Sequence, residues 1–147
     1  MLQQQYITGF VDGEGTFHIA IYKDSRMKHG IKIIPEFHVS QRVSSKHVLQ
    51  ELITSFGCGY LKANHANSKD VTWVYVVRNR HDLMVRIIPF FKRNKLQTEK
   101  RHDFEVFARI VEMMHNGAHR TQTGIQKILR LTYSMNNKGK YRKKKYA

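Results

Sequence analysis

Near the N-terminus, Ile7-Thr8-Gly9-Phe10-Val11-Asp12-Gly13-Glu14-Gly15 combines residue types that an ordinary surface helix does not need. Gly9 and Gly13 stand four apart, on one face of a helix, and each costs about 1 kcal/mol relative to alanine in a helix interior. That spacing lets a second helix approach at backbone distance, the logic of small-xxx-small packing. The acids Asp12 and Glu14 follow at the helix C-terminus, where the macrodipole disfavours carboxylates. Glycines placed for contact and acids placed against the dipole suggest a metal site at a paired-helix seam. The competing reading is a surface helix with a plain glycine C-cap, and the residues alone leave both open.

Other candidate chemistry is thinner. There are nine histidines and one cysteine, but none has the paired spacing of a zinc site. His115 and His119 are four apart with Gly117 between them, which breaks the helix, and they read as structural. Cys58, between Gly57 and Gly59, excludes an intrachain disulfide and reads as space-filling.

Charge narrows the partner. The 147 residues carry 26 Lys and Arg against 11 Asp and Glu, a net charge of +15, with a pI near 10.2. Such a field draws polyanions, so nucleic acid is the leading partner. An anionic membrane competes for the same charge. However, no long uncharged apolar stretch spans a bilayer, and neither end offers a basic amphipathic helix. Met1-Leu2-Gln3-Gln4-Gln5 resembles neither a signal nor a transit peptide. The expected location is therefore the matrix or stroma of an organelle that encodes the protein, or otherwise the bacterial cytoplasm.

The elements that must position these residues follow from periodicity. Residues 3 to about 13 read as a helix ending at Gly13 and Gly15. Residues 16–22 alternate as a strand, Lys23 to Gly30 is turn-like, and 31–42 form a second strand in which Pro35 marks an irregularity or an edge. Ser44-Ser45-Lys46 opens a helix with apolar Val48, Leu49, Leu52, Ile53 and Phe56. Residues 59–64 and 71–78 read as two more strands around a polar loop at 65–69, followed by a helix over 80–91. Lys46-His47-Val48-Leu49 and Arg80-His81-Asp82-Leu83 match in type, so a strand-strand-helix unit is used twice. Helices near 99–115 and 121–135 complete one domain over 1–137. The class is α+β, with one antiparallel sheet and helices on one face. Lys138 to Tyr146 carries six cations and no acid and reads as a solvated basic tail over 138–147 that adds phosphate affinity.

The motif stretch resembles the LAGLIDADG motif of homing endonucleases in its Gly-Phe-Val-Asp-Gly-Glu-Gly form. Further likeness lies in Phe37-His38-Val39-Ser40-Gln41, Gly57-Cys58-Gly59-Tyr60, Pro89-Phe90-Phe91 and Leu96 to Phe104, so it covers about residues 6–135. The resemblance implies an αββαββα core with a curved sheet and a site-specific double-strand DNA endonuclease acting on a long, near-palindromic target. It implies Glu14 as metal ligand with the carbonyl of Gly13, Asp12 with Gly9 and Gly13 at a helix–helix dimer interface, Gln41 as an organiser of solvent, and Lys100 as a basic residue beside the scissile phosphate. Lys95 is the rival for that last role. The metal implied is Mg²⁺ or another divalent cation such as Mn²⁺, with Ca²⁺ as a non-catalytic substitute. A hard cation held by few carboxylates plus substrate phosphate suits phosphodiester hydrolysis. One motif in one domain implies a two-fold homodimer.

Strand alternation supplies a reading surface. With Phe17, Ile19, Ile21, Phe37, Val39 and Leu61 facing the helices, His18, Tyr22, His38, Ser40, Arg42, Tyr60, Lys62 and Asn64 face outward. These donors, acceptors and cations fit a β-ribbon in the DNA major groove, although a polar strand face can also simply meet water. Both faces of 71–77 are apolar, which leaves Trp73 unassigned. The alternative function is an intron RNA maturase, since the resembled family includes RNA-binding members; a third is a plain basic binding module. The intact acid at Glu14 favours the nuclease, because RNA chaperoning needs no metal-binding carboxylate.

Overall fold

The alternation over 15–42 becomes a long antiparallel pair, β1 (Gly15–Lys23) and β2 (Ile31–Arg42), in register Gly15 to Val39 through Lys23 to Ile31. The computed structural model describes residues 1–64, 69 and 71–136. The polar loop at 65–68 and the basic end at 138–147 lie outside the described residues. Helix α1 (Gln4–Glu14) precedes β1, and α2 (Lys46–Phe56), β3 (Tyr60–Asn64) and β4 (Thr72–Val77) follow β2. The sheet order is β1-β2-β4-β3, with antiparallel pairing throughout.

Pro35 lies opposite Ile19 on β1, whereas β4 pairs with β2 only over Phe37–Arg42. Proline therefore sits where the second side of β2 is an edge and no ladder bond is sacrificed. Ser45 stands at the N-cap of α2 but makes no side-chain cap bond, because a 3-10 turn, Val43–Ser45, leads into the helix. The last unit helix, α3 over 80–93, is capped by Asn79, whose side chain accepts from the Asp82 amide at 3.0 Å. It is not uniform: a π turn at Leu83–Ile87 separates Arg80–Asp82 from Ile88–Arg93. Pro89 lacks the N–H that would reach back to residue 85, and its ring crowds that carbonyl, so the helix widens one turn before it.

Helices α4 (Lys100–His115) and α5 (Gln122–Thr132) complete the described chain. The C-terminal helix stops three residues short of the expected 135. Asn136, at φ 51°, instead donates from its side chain to the Phe17 carbonyl at 3.0 Å and from its amide to Asp103 at 2.8 Å. Gly117 ends α4's extension at φ 85°, as the spacing of His115 and His119 predicts.

The core lies between the sheet and the helices. Phe17 is fully buried and its ring sits 5.0 Å from Phe37, 5.2 Å from Phe104 and 5.3 Å from Phe107. The doubled unit packs alike: Leu49 and Leu83 are both fully buried, and Phe56 and Phe90 meet at 5.2 Å. The sheet's opposite face carries no helix among the described residues. Register settles Trp73, which pairs with Gln41 on one side and Ala63 on the other and so shares the helix face with Tyr75. Lys46 Nζ lies 3.6 Å above its ring, a cation–π contact.

Candidate active site and nucleic-acid interface

Helix α1 buries Ile7 and Val11 and leaves its other side open. A Cβ placed on Gly9 or Gly13 would meet nothing within 4 Å, whereas one on Gly15 would lie 2.7 Å from Val11 Cγ1 and 2.9 Å from its carbonyl. Gly15 is thus demanded by packing within the chain, and Gly9 and Gly13 are not. Tyr6 and Phe10 stack at 5.8 Å between centroids and share the open face with those two glycines, since 6, 9, 10 and 13 follow helical spacing.

The C-terminal end of α1 carries the polar cluster. Asp12 accepts from the Gln97 amide at 2.8 Å, the Thr98 amide at 3.1 Å and the Thr98 hydroxyl at 2.6 Å. Burial pushes its carboxyl up, but the bonds from Thr98 and Gln97 and the charge of Lys100 outweigh that and hold it below the ordinary carboxylate range. Within the chain the Asp12 carboxylate ties α1 to the segment before α4. Lys100, brought in by that tie, donates from Nζ to the Val11 and Asp12 carbonyls, each at 3.1 Å. A cation on the last carbonyls offsets the dipole that makes acids unfavourable there. Burial lowers the Lys100 pKa, against the opposing pull of Asp12, Glu14 and Asp103. Lys95 is exposed and lines a separate groove with Phe91, Lys92 and Arg101.

Glu14 is exposed, and its carboxylate makes no hydrogen bond or ion pair among the described residues. Gln41 lies two positions past Val39, the residue that pairs with Gly15, and so at the end of β2 nearest the α1–β1 junction. Thus Gly13, Glu14, Gln41 and Lys100 converge on one end of α1, although 86 residues separate Glu14 from Lys100 in the chain. No group of three or more His, Cys, Asp or Glu residues among the described ones forms a metal cluster. The oxygen donors at this end are the Glu14 carboxylate and the backbone carbonyl of Gly13. They suit a hard cation that takes its remaining ligands from phosphate and water.

The open face of the sheet matches the alternation residue by residue. His18, Tyr22, His38, Ser40, Arg42, Tyr60, Lys62 and Asn64 all fall on it. Val74 and Val76 share it yet are 2% and 0% exposed. They lie beneath the longer polar side chains of neighbouring rows, whose stems cover apolar surface.

A profile of LAGLIDADG endonucleases matches residues 7–111. The chain belongs to the LAGLIDADG endonuclease family. Among curated relatives, it is 29% identical over 117 residues to DNA endonuclease I-CeuI of Chlamydomonas moewusii, covering 78% of this chain and 53% of that protein. It is 29% identical over 130 residues to a probable intron-encoded endonuclease 2 of Neurospora crassa, covering 88% of this chain and 26% of the relative. The chain therefore spans from about a quarter to about half of the length of these curated relatives. In three dimensions it resembles the crystal structure of the homing endonuclease I-TnaI, with a TM-score of 0.86 and 37% identity, over 92% of this chain and 88% of that one. It also resembles I-SmaMI bound to cleaved DNA, with a TM-score of 0.87 and 29% identity over 92% of this chain and 44% of that chain. I-SmaMI has likewise been solved on an uncleaved target with calcium ions.

Two features of this LAGLIDADG chain escape a reading by alternation and motif. The staple from Asp12 to Gln97 and Thr98 joins residues 85 and 86 apart, beyond any local spacing rule. Glu36 and Arg78 sit on the open face beside His38, with Arg78 Nε 3.0 Å from Glu36 Oε1. The strand parity of Glu36 was the one available signal, since it alternates with Phe37 on the same side as His38.

Proposed function

We propose that this chain is one subunit of a homodimeric, divalent-metal-dependent endonuclease that hydrolyses both strands of a long, near-palindromic DNA target. The observation that carries the reading is an exposed Glu14 and a half-buried Lys100 brought to the same end of a helix whose Gly9/Gly13 face is open. Support comes from relatives named as DNA endonucleases and from the solved I-SmaMI complex with cleaved DNA.

Glu14 and the Gly13 carbonyl would hold the metal, with Mg²⁺ or Mn²⁺ active and Ca²⁺ an inactive substitute. When bound, such an ion supplies charge neutralisation at the phosphate and acidifies water. Lys100 holds its ammonium on the Val11 and Asp12 carbonyls at the same helix end and is partly shielded from solvent, so its charge would act strongly on negative charge developing at the phosphate. Gln41, near the same junction, offers an amide to orient water. Joining two copies through Tyr6, Gly9, Phe10 and Gly13 would bring two Glu14 carboxylates near a two-fold axis, one for each strand. The sheet faces would then lie along the duplex, with Lys62, Arg42 and the histidines toward phosphates and base edges.

Glu14→Gln tests the site. It removes an anionic ligand but no cation, so binding of a duplex recovered by selection should persist, while Mg²⁺-dependent cleavage falls by at least about 100-fold. Cleavage near the wild-type rate would place the chemistry elsewhere.

A further inference from the structure

We infer that Arg78 is a base-reading residue of the open sheet face, positioned by Glu36, and that it selects a guanine. This rests on the reading of that face as a duplex-binding surface.

Register brings the group together. The pairing of His38 with Val76 continues outward to set Glu36 against position 78, and on its other side Glu36 pairs with His18. His18 and Glu36, paired across β1 and β2, thus line up with Arg78, one residue past the end of β4. Glu36 is the only acid in the four strands, and it is 8% exposed. A carboxylate aimed at a phosphate backbone is repelled, and a buried one is costly unless paired. Here both oxygens have partners: Oε1 lies 3.0 Å from Arg78 Nε and Oε2 2.9 Å from His38 Nε2. The His38 contact is close but is not an aligned hydrogen bond. Burial pushes the Glu36 carboxyl up, but the contact with His38 and the charges of His38, Arg78 and His18 outweigh it, so the group stays ionised.

With both oxygens taken, Glu36 is not free to accept from a base. Its effect is on Arg78. The contact with Glu36 restricts the rotamers of the long Arg78 side chain before any ligand arrives. Besides Nε the guanidinium carries four terminal N–H groups, on a side chain that is 40% exposed. With Nε beside Glu36, those terminal amino groups remain for the fork that pairs with guanine O6 and N7. Lys23 and Lys32, with Arg78 itself, line the adjoining recess, where Arg26 is held by Asp24; the two lysines supply cations for flanking phosphates without competing for the base edge.

The test is selection from a randomised duplex library, in Ca²⁺ so that cleavage is not required, with wild type, Arg78→Lys and Glu36→Gln. Wild type should enrich a guanine at one position in each half-site. Arg78→Lys keeps the charge but removes the fork, so preference at that position should fall about 10-fold while the other positions hold. Glu36→Gln should weaken the same preference by a smaller factor without lowering overall affinity, because it removes an anion. Identical base preferences for wild type and Arg78→Lys, or a decline spread evenly over all positions, would overturn the base-reading role. A weakened preference in Arg78→Lys with full preference in Glu36→Gln would overturn the aiming role. If wild type enriches no sequence at all, the duplex-binding reading itself fails.

Discussion

Asp12→Asn separates the stapling of α1 from its chemistry. The carboxylate accepts three close bonds, from the Gln97 amide, the Thr98 amide and the Thr98 hydroxyl at 2.8, 3.1 and 2.6 Å. A sheltered bond to a charged acceptor is worth about 1.5–3 kcal/mol, but these sit at an exposed segment and are screened, so about 0.5 kcal/mol each is retained. Asparagine keeps one acceptor and turns an amino group toward a donor, so the destabilisation should be about 1.5 kcal/mol. For a chain of this size that is a fall of about 3–6 °C in Tm at neutral pH. The pH dependence is the sharper signature. Because the Asp12 pKa is lowered in the folded state, its contribution is present above the ordinary carboxylate range and disappears as pH falls through the lowered value. The Tm gap between wild type and Asp12→Asn should therefore be full at neutral pH and close as pH falls through the lowered Asp12 value. Thermal denaturation followed by circular dichroism across pH measures both. A gap that stays constant with pH would refute the charged-acceptor account, and no gap at neutral pH would refute the staple altogether.

Gly15→Ala should cost about 1–3 kcal/mol by crowding Val11, read by denaturant unfolding, whereas Gly9→Leu should shift sedimentation toward monomer and reduce cleavage with it. Lys100→Met should slow single-turnover cleavage at saturating enzyme while Lys95→Met does not; the reverse would hand the role to Lys95. Deleting 138–147 removes six cations and should flatten the dependence of log Kd on log salt by about 0.9 for each phosphate that the tail neutralises, leaving the cleavage rate at saturation unchanged.

Where one property decided placement, the residues were legible in advance. In β1 and β2 one face is apolar and buried and the other polar, so His18, His38 and Ser40 could be set on the open face from parity alone. Trp73 could not, because β4 is apolar on both sides. Only its neighbours across the ladder, Gln41 and Ala63, distinguish helix face from open face. The doubled unit was visible because Leu49 and Leu83 both demand burial, yet the π turn inside the second helix was not, since it arises from how Pro89 disturbs bonds several residues earlier. At the site, Gly9, Gly13 and Glu14 were marked by local incongruity with a helix. The partnership of Asp12 with Thr98, and with it the placing of Lys100 Nζ on the end of α1, depends on chain closure over more than eighty residues and has no local signature.

The separation of the sheet's faces has a consequence for how this protein can change. Core positions 17, 37 and 75 and the surface positions between them alternate along the same strands, so Ser40, Arg42, Lys62 and Asn64, all exposed or nearly so, can be replaced at little folding cost, within about 0.5 kcal/mol each. A lineage could drift there toward a new target sequence while the scaffold stays fixed. The row through Glu36 breaks that freedom. Replacing Arg78 alone would leave a nearly buried carboxylate short of a partner, so this part of the specificity should evolve by paired substitutions and lag behind the ends of the strands.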